Sequence, residues 1–91
     1  MPFAIQHDRV ARRFETRVEE VPCLLDYTLD AGVMTITHTE VPAAVGGRGI
    51  ASALVQEAMI TARAEGWKVV PACSYAAAWV QRHPEYHDLL G

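Results

Sequence analysis

From Phe14 to Val18 apolar and polar character alternates, the period-two pattern of a strand with one buried face. A turn is expected over Glu19 to Pro22, and Cys23 to Leu29 reads as a second strand. Asp30-Ala31-Gly32 is a hairpin signal, and the β-branched run Val33 to Glu40 reads as a third strand. The period then changes. Pro42 stops the strand, Gly46-Gly47-Arg48-Gly49 forms a glycine-rich loop, and a helix is predicted from about Gly49 to Glu65. Its apolar stripe is Ala51, Leu54, Val55, Ala58 and Ala62, with Gly66 placed as its C-cap. Trp67 to Pro71 is a short buried strand. A second helix is predicted from Ser74, as N-cap, to His83, where Pro84 ends it. Antiparallel strands followed by helix, strand and helix predict an α/β fold, a mixed sheet with helices packed on it.

Length sets the scale of that fold. The 91 residues form one domain, 1–91, which buries only about 60–65% of its unfolded surface. Hydrophobic residues make up 51% and charged residues 21%, the balance of a globular chain rather than a disordered one. The formal net charge of -3, with both signs mixed along the chain, argues against nucleic acid or an anionic membrane as partner. Cys23 and Cys73 match no metal-ligand spacing, and His7, His38, His83 and His87 are scattered, so no metal is expected. No secretory or membrane-spanning run opens the chain, which makes the cytoplasm the expected location.

The chemistry concentrates in the glycine loop. Glycine lets a backbone approach an anion closely, and the free N–H groups of a first helical turn point at it. The alternative is a β–α connection without a ligand. A Walker A loop is absent, and the dinucleotide fingerprint lacks both its third glycine and an acid after Trp67 to Pro71.

Thr37-His38-Thr39-Glu40-Val41-Pro42 followed by Gly46-Gly47-Arg48-Gly49-Ile50-Ala51 resembles the strand and pyrophosphate loop of the GNAT superfamily of N-acetyltransferases. That loop reads Gln/Arg-x-x-Gly-x-Gly/Ala. Gly49 and Ala51 match its last two fixed positions, and Gly46 departs from the first, leaving Arg48 to supply charge. Lys68-Val69-Val70-Pro71-x-Cys73-Ser74-Tyr75 and Arg82-His83-Pro84-Glu85-Tyr86 resemble a short single-domain subset of that family, so that the likeness runs from about 12 to 90.

The resemblance implies acetyl-CoA or coenzyme A as cofactor and an amine as acceptor. It also implies that strand 33–41 and strand 67–71 splay apart around the pantetheine arm. Val41 would then pair with that arm, and Gly46, Gly47, Arg48, Gly49, Ile50 and Ala51 would hold the pyrophosphate. Ser74 and Cys73 stand where the larger family tends to carry an asparagine that contacts pantetheine.

Amine acetylation needs a base for the ammonium and an acid for the departing thiolate. By strand alternation Met34, Ile36, His38 and Glu40 share one face, and GNAT enzymes commonly carry a base carboxylate on this strand. Glu40 is therefore the candidate base with His38 beside it, against the reading of a solvated strand end. Cys73, just before a helix start, is either a nucleophile or a lining residue of the cleft. No tyrosine sits clearly at the family's general-acid position; Tyr75 and Tyr86 are nearby alternatives for it, with packing the favoured reading for both, and Cys23 and Trp79 read as core. An N-acetyltransferase, a non-catalytic acyl-CoA-binding module and an interaction domain all remain open on the residues alone.

Overall fold

In the computed structural model, which describes residues 3–91, five strands form one sheet in the order β1-β2-β3-β4-β5. They are β1 (Gln6–Asp8), β2 (Arg13–Val18), β3 (Val21–Asp30), β4 (Val33–Glu40) and β5 (Lys68–Pro71). β1 through β4 are antiparallel, and β5 joins β4 in parallel after the crossover helix α1 (Ile50–Glu65). A second helix, α2 (Ser74–Gln81), follows β5, and the chain ends in a 3-10 helix over Pro84–Leu89. This is the α/β mixed sheet expected from the order of elements.

Both helices cover the same face of the sheet. Phe14, Leu25, Met34, Ile36 and Val69 from the strands meet Leu54, Val55, Ala58 and Met59 of α1 and Ala76, Trp79 and Val80 of α2 in one core. Trp79 Nε1 donates to Ser52 Oγ at 2.8 Å, tying α2 to the first turn of α1. A core of this size leaves little reserve. Truncating a fully buried Leu54 to alanine costs about 2–5 kcal/mol, against about 5–10 kcal/mol of stability for a domain of this length.

Several boundaries differ from the sequence reading, each for a local reason. β1 was not expected; its residues are too few to display a period, and His7 earns its place by stacking on Phe14 at 4.1 Å and bonding Tyr27. β3 begins at Val21, because the turn is only Glu19-Glu20, closed by the pair Val18 and Val21. Trp67 precedes β5, its N–H donating to Ala62 O at the end of α1. In α1 the buried stripe adds Ile50, Ala53 and Met59, whereas Ala51 is only half-buried. α2 stops at Gln81, two residues before His83, and its N-cap is Cys73 instead of Ser74: Cys73 Sγ accepts from Ala76 N.

The most consequential difference lies in β4. Tyr27 pairs with Ile36 and Asp26 with His38, so Thr37 is an extra residue, a bulge. A bulge reverses the alternation beyond it. Met34 and Ile36 face the helices; His38 and Glu40 do not share that face as alternation predicts, but point to the uncovered side. Thr39 takes the helix side, opposite the buried Leu25.

Candidate functional site

Beyond the bulge, β4 also parts from β5. The parallel ladder runs from the pair Val33 and Lys68 to the pair Ile36 and Pro71, and there it ends. Ile36 O accepts from both Ala72 N and Cys73 N at 3.0 Å, which turns the chain away into α2. Pro71 has no N–H to extend the pairing. Thr37 to Glu40 therefore continue as strand on the β3 side with a gap on the β5 side.

That gap has two lips. Thr39 Oγ1 lies 3.5 Å from Cys73 Sγ, and the same sulfur accepts Ala76 N–H at 3.4 Å as the cap of α2. On the opposite face of the sheet His38 Nε2 lies 3.1 Å from Glu40 Oε1, both side chains more than half exposed. Arg13 and Asp26 form a bidentate ion pair on that face, with Asp26 paired across the ladder to His38.

After β4, Pro42 and a 3-10 turn over Ala43–Val45 carry the chain to the glycine loop. Gly47 and Gly49 hold φ of 76° and 79°, and Gly49 is the N-cap of α1. A Cβ built at either position meets no protein atom within 4 Å, so the space in front of the loop is open. The first turn of α1 carries no acidic side chain. Its N–H groups at Ile50, Ala51 and Ser52 precede the first intrahelical bond, from Ala53 N to Gly49 O. Positive φ at two glycines, free donors and open space fit a phosphate.

These parts line a cleft of about 350 Å³ formed by Val41, Gly46, Gly47, Gly49, Ile50, Ala51, Ser52 and Tyr75. Six of the residues singled out from the sequence thus come together. Arg48 does not join them: its Nη1 donates to Glu19 Oε2 at 2.6 Å. Ser74 opens α2 without lining the cleft. Cys73 stands at the gap in the ladder with Thr39. Ser52 was not expected at a site, and Tyr75 only as the less favoured alternative to packing. Tyr75 reads as a packing residue in the sequence, but it is 41% exposed and flanks the loop. Its position one residue after Ser74, on the first turn of the helix that follows the gap, is the signal that would have found it.

Cys23 is fully buried, and burial pushes its thiol up. Tyr86 and Trp79 pack as expected, with the Arg63 guanidinium over the Tyr86 ring. Arg63 of α1 pairs with Asp88 at 2.9 Å, and its Nη2 also donates to the backbone carbonyl of Glu85 at 2.9 Å. No helix among the described residues is long and apolar enough to cross a membrane.

Comparison with known proteins agrees with this arrangement. The model of the GCN5-related N-acetyl-transferase family matches residues 13–89. Protein NATD1 of Mus musculus is 32% identical over 87 residues, 91% of this chain and 78% of that protein. Protein NATD1 of Homo sapiens is likewise 32% identical, with 76% of its length covered. The NMR solution structure of a GCN5-like protein from Staphylococcus aureus superposes with a TM-score of 0.76 over 97% of this chain and 87% of that one, at 23% identity, a likeness of fold. With the family model spanning everything from β2 to the closing 3-10 helix, the chain belongs to the GCN5-related N-acetyl-transferase family.

Proposed function

We propose that the protein transfers the acetyl group of acetyl-CoA to an amine. The observation that carries this reading is the gap between β4 and β5, opening beside a glycine loop whose helix presents free N–H groups to a solvent-accessible cleft. The N–H groups of Ile50, Ala51 and Ser52, with the backbone of Gly47 and Gly49, would hold the pyrophosphate; the strand end at Val41 would pair with the pantetheine arm. Acetyl-CoA supplies an activated acyl group as a thioester.

The two faces of the sheet divide the remaining work. Cys73 and Thr39 lie on the helix side of the gap, where they would flank the sulfur end of the cofactor. Glu40 lies on the uncovered side, where an acceptor amine can approach, and takes the ammonium proton there. His38, hydrogen-bonded to Glu40, orients the carboxylate and can pass the proton to water. Tyr75 brings a phenol to the cleft lining and is the candidate donor to the departing thiolate. Direct attack by the amine needs no acyl-cysteine, so Cys73 is assigned as a lining and capping residue.

A second reading, a non-catalytic acyl-CoA-binding module, draws support from the exposure of the proposed base: the Glu40 side chain is 57% exposed. Calorimetry with acetyl-CoA, followed by thiol release over a panel of primary amines, separates the readings. Binding with turnover supports transfer, binding without turnover supports the module, and no binding at millimolar acetyl-CoA rejects both.

A further inference from the structure

Arg48 stands between Gly47 and Gly49, two of the three glycines that line the cleft, yet its guanidinium is engaged elsewhere. Nη1 donates to Glu19 Oε2 at 2.6 Å, the only side-chain hydrogen bond of loop 46–49 among the described residues. Glu19 sits in the two-residue turn between β2 and β3. That turn is unusual in itself: Glu19 and Glu20 have φ of 51° and 68°, a left-handed pair ordinarily built from Asn-Gly. Glutamate is a poor choice for either position. Strain of this kind persists where surrounding structure holds it and clusters at binding sites. Here the strained turn delivers a carboxylate to the one basic side chain of the phosphate-binding loop.

We propose that Glu19 sets the affinity of the cofactor site by competition: its carboxylate holds Arg48 in the free protein and yields it to a phosphate of the incoming cofactor. This rests on the acetyl-CoA reading above and adds a named exchange to it. The exchange is feasible because both partners are solvent-accessible, the side chains of Arg48 and Glu19 being 41% and 66% exposed, so the pair is weak enough to break. It is also directional, since the cofactor's diphosphate as a unit carries about two charges against the carboxylate's one and presents a fork-shaped partner to guanidinium. The hydrogen bond from Arg48 holds the Glu19 carboxyl below the usual carboxylate range, so the pair is formed at neutral pH. A ligand bearing the pantetheine arm but no phosphate gives Arg48 no reason to leave Glu19. Arg48 thereby favours a phosphorylated carrier over the bare thiol arm, and Glu19 moderates that preference by competing for the guanidinium.

A double-mutant cycle reads this directly. Calorimetry with coenzyme A and with pantetheine is run on the unsubstituted protein, Glu19→Gln, Arg48→Gln, the double variant and Glu20→Gln. Glu19→Gln is expected to tighten coenzyme A about 3-fold, the worth of an exposed ion pair released. Arg48→Gln is expected to weaken it about 10-fold. In the Arg48→Gln background Glu19→Gln should do nothing, and Glu20→Gln, which removes the same charge from a residue 96% exposed on its side chain, should also do nothing. Pantetheine affinity should be unmoved throughout. If Glu19→Gln tightens coenzyme A equally without Arg48, bulk charge explains the effect and the exchange is wrong. Weaker binding by Glu19→Gln would mean that the carboxylate props the loop, which also overturns it. Absence of coenzyme A binding by the unsubstituted protein rejects the cofactor reading itself, and this inference with it.

Discussion

Thr39 Oγ1 and Cys73 Sγ face each other at 3.5 Å across the opening between β4 and β5. They come from elements 34 residues apart, and two independent irregularities bring them together. The bulge at Thr37 swings Thr39 to the helix side, and the doubly accepting Ile36 carbonyl turns Cys73 out of β5. The sulfur has a structural duty as well, receiving Ala76 N–H at the start of α2. That duty separates its effects on stability from any effect on chemistry.

Cys73→Ala should lower stability by about 0.5–1 kcal/mol, the lower part of the range for a lost N-cap, because a sulfur at 3.4 Å is a weak acceptor. Cys73→Ser should equal or exceed the parent, since serine caps well. Urea unfolding of the three proteins measures this. Acetyl transfer should survive in both variants, and intact mass after incubation with acetyl-CoA should show no acetyl on Cys73. Acetyl-Cys73 forming at the rate of turnover would reverse that assignment.

Glu40→Gln should reduce kcat about 100-fold with little change in the KM for acetyl-CoA, as removal of a general base does. His38→Ala should cost less, because it orients the carboxylate without accepting the amine proton. Steady-state kinetics at saturating amine checks both, and an equal loss from the two would make the pair a single proton-accepting unit.

Deleting Thr37 removes the bulge. The alternation of β4 then runs unbroken in the same register: Ile36 still faces Tyr27, His38 faces Asp26 and Thr39 faces Leu25, so His38 and Glu40 keep the uncovered side. The deletion variant should therefore stay folded, with a urea midpoint close to that of Thr37→Val, which keeps the extra residue and loses only the hydrogen bond to Asp26 O. Unfolding of the deletion variant alone would show that the bend at the bulge, and not only the phase of the strand, is needed.

Gly46 has φ of -69°, and its Cβ position meets nothing closer than Ala43 O at 3.5 Å, so a side chain is tolerated there. Gly46→Arg should tighten acetyl-CoA by about 10-fold or more, a charge-assisted contact at the first position of the loop. Gly49→Glu should abolish binding, since it puts a carboxylate into the open space before the helix, and should cost about 1–2 kcal/mol of stability through its φ of 79°. Calorimetry and thermal melts together separate the two effects.

Burial first, and then the charge of Arg9, hold His7 below its usual 6.5 where it stacks on Phe14 and bonds Tyr27; Asp8 and Glu65 oppose them more weakly. The neutral ring is the folded form, so the unfolded chain takes up the proton first as pH falls. Its contribution is whole above about pH 6.5, declines as pH falls through the lowered folded value, and then levels off. The urea midpoint should drop between pH 7.5 and 5.5, and His7→Gln should shrink that drop. Glu19 and Asp88, held low by hydrogen bonds from Arg48 and Arg63, add a separate loss only in the carboxylate range.

The strands from β2 to β4, the crossover helix and its Gly66 cap were legible because burial writes a period into the residues, and proline and glycine punctuate it. The loop was legible for the same reason: Gly47 and Gly49 sit where only glycine is comfortable. What was hidden belongs to partners rather than to period. Nothing local in Thr37 announces a bulge; it exists because Tyr27 pairs with Ile36 and Asp26 with His38. The cap passed to Cys73 instead of Ser74 through a one-residue difference in where α2 starts. Arg48 was read toward the ligand, and the carboxylate that holds it lies 29 residues away in sequence.

The Ile36 carbonyl has further bearing on how quickly a ligand could enter. Both of its lone pairs are committed, to Ala72 N and Cys73 N, and Pro71 offers no hydrogen to pull β5 back along β4. The opening is thus a resting property of the chain, with no strand pairing to rupture before a guest slides in. Association should proceed without a backbone rearrangement, the exchange of Arg48 from Glu19 being a fast side-chain step, and its rate should rise in proportion to ligand concentration with no plateau. Differences in affinity among carriers would then arise in how slowly each one leaves.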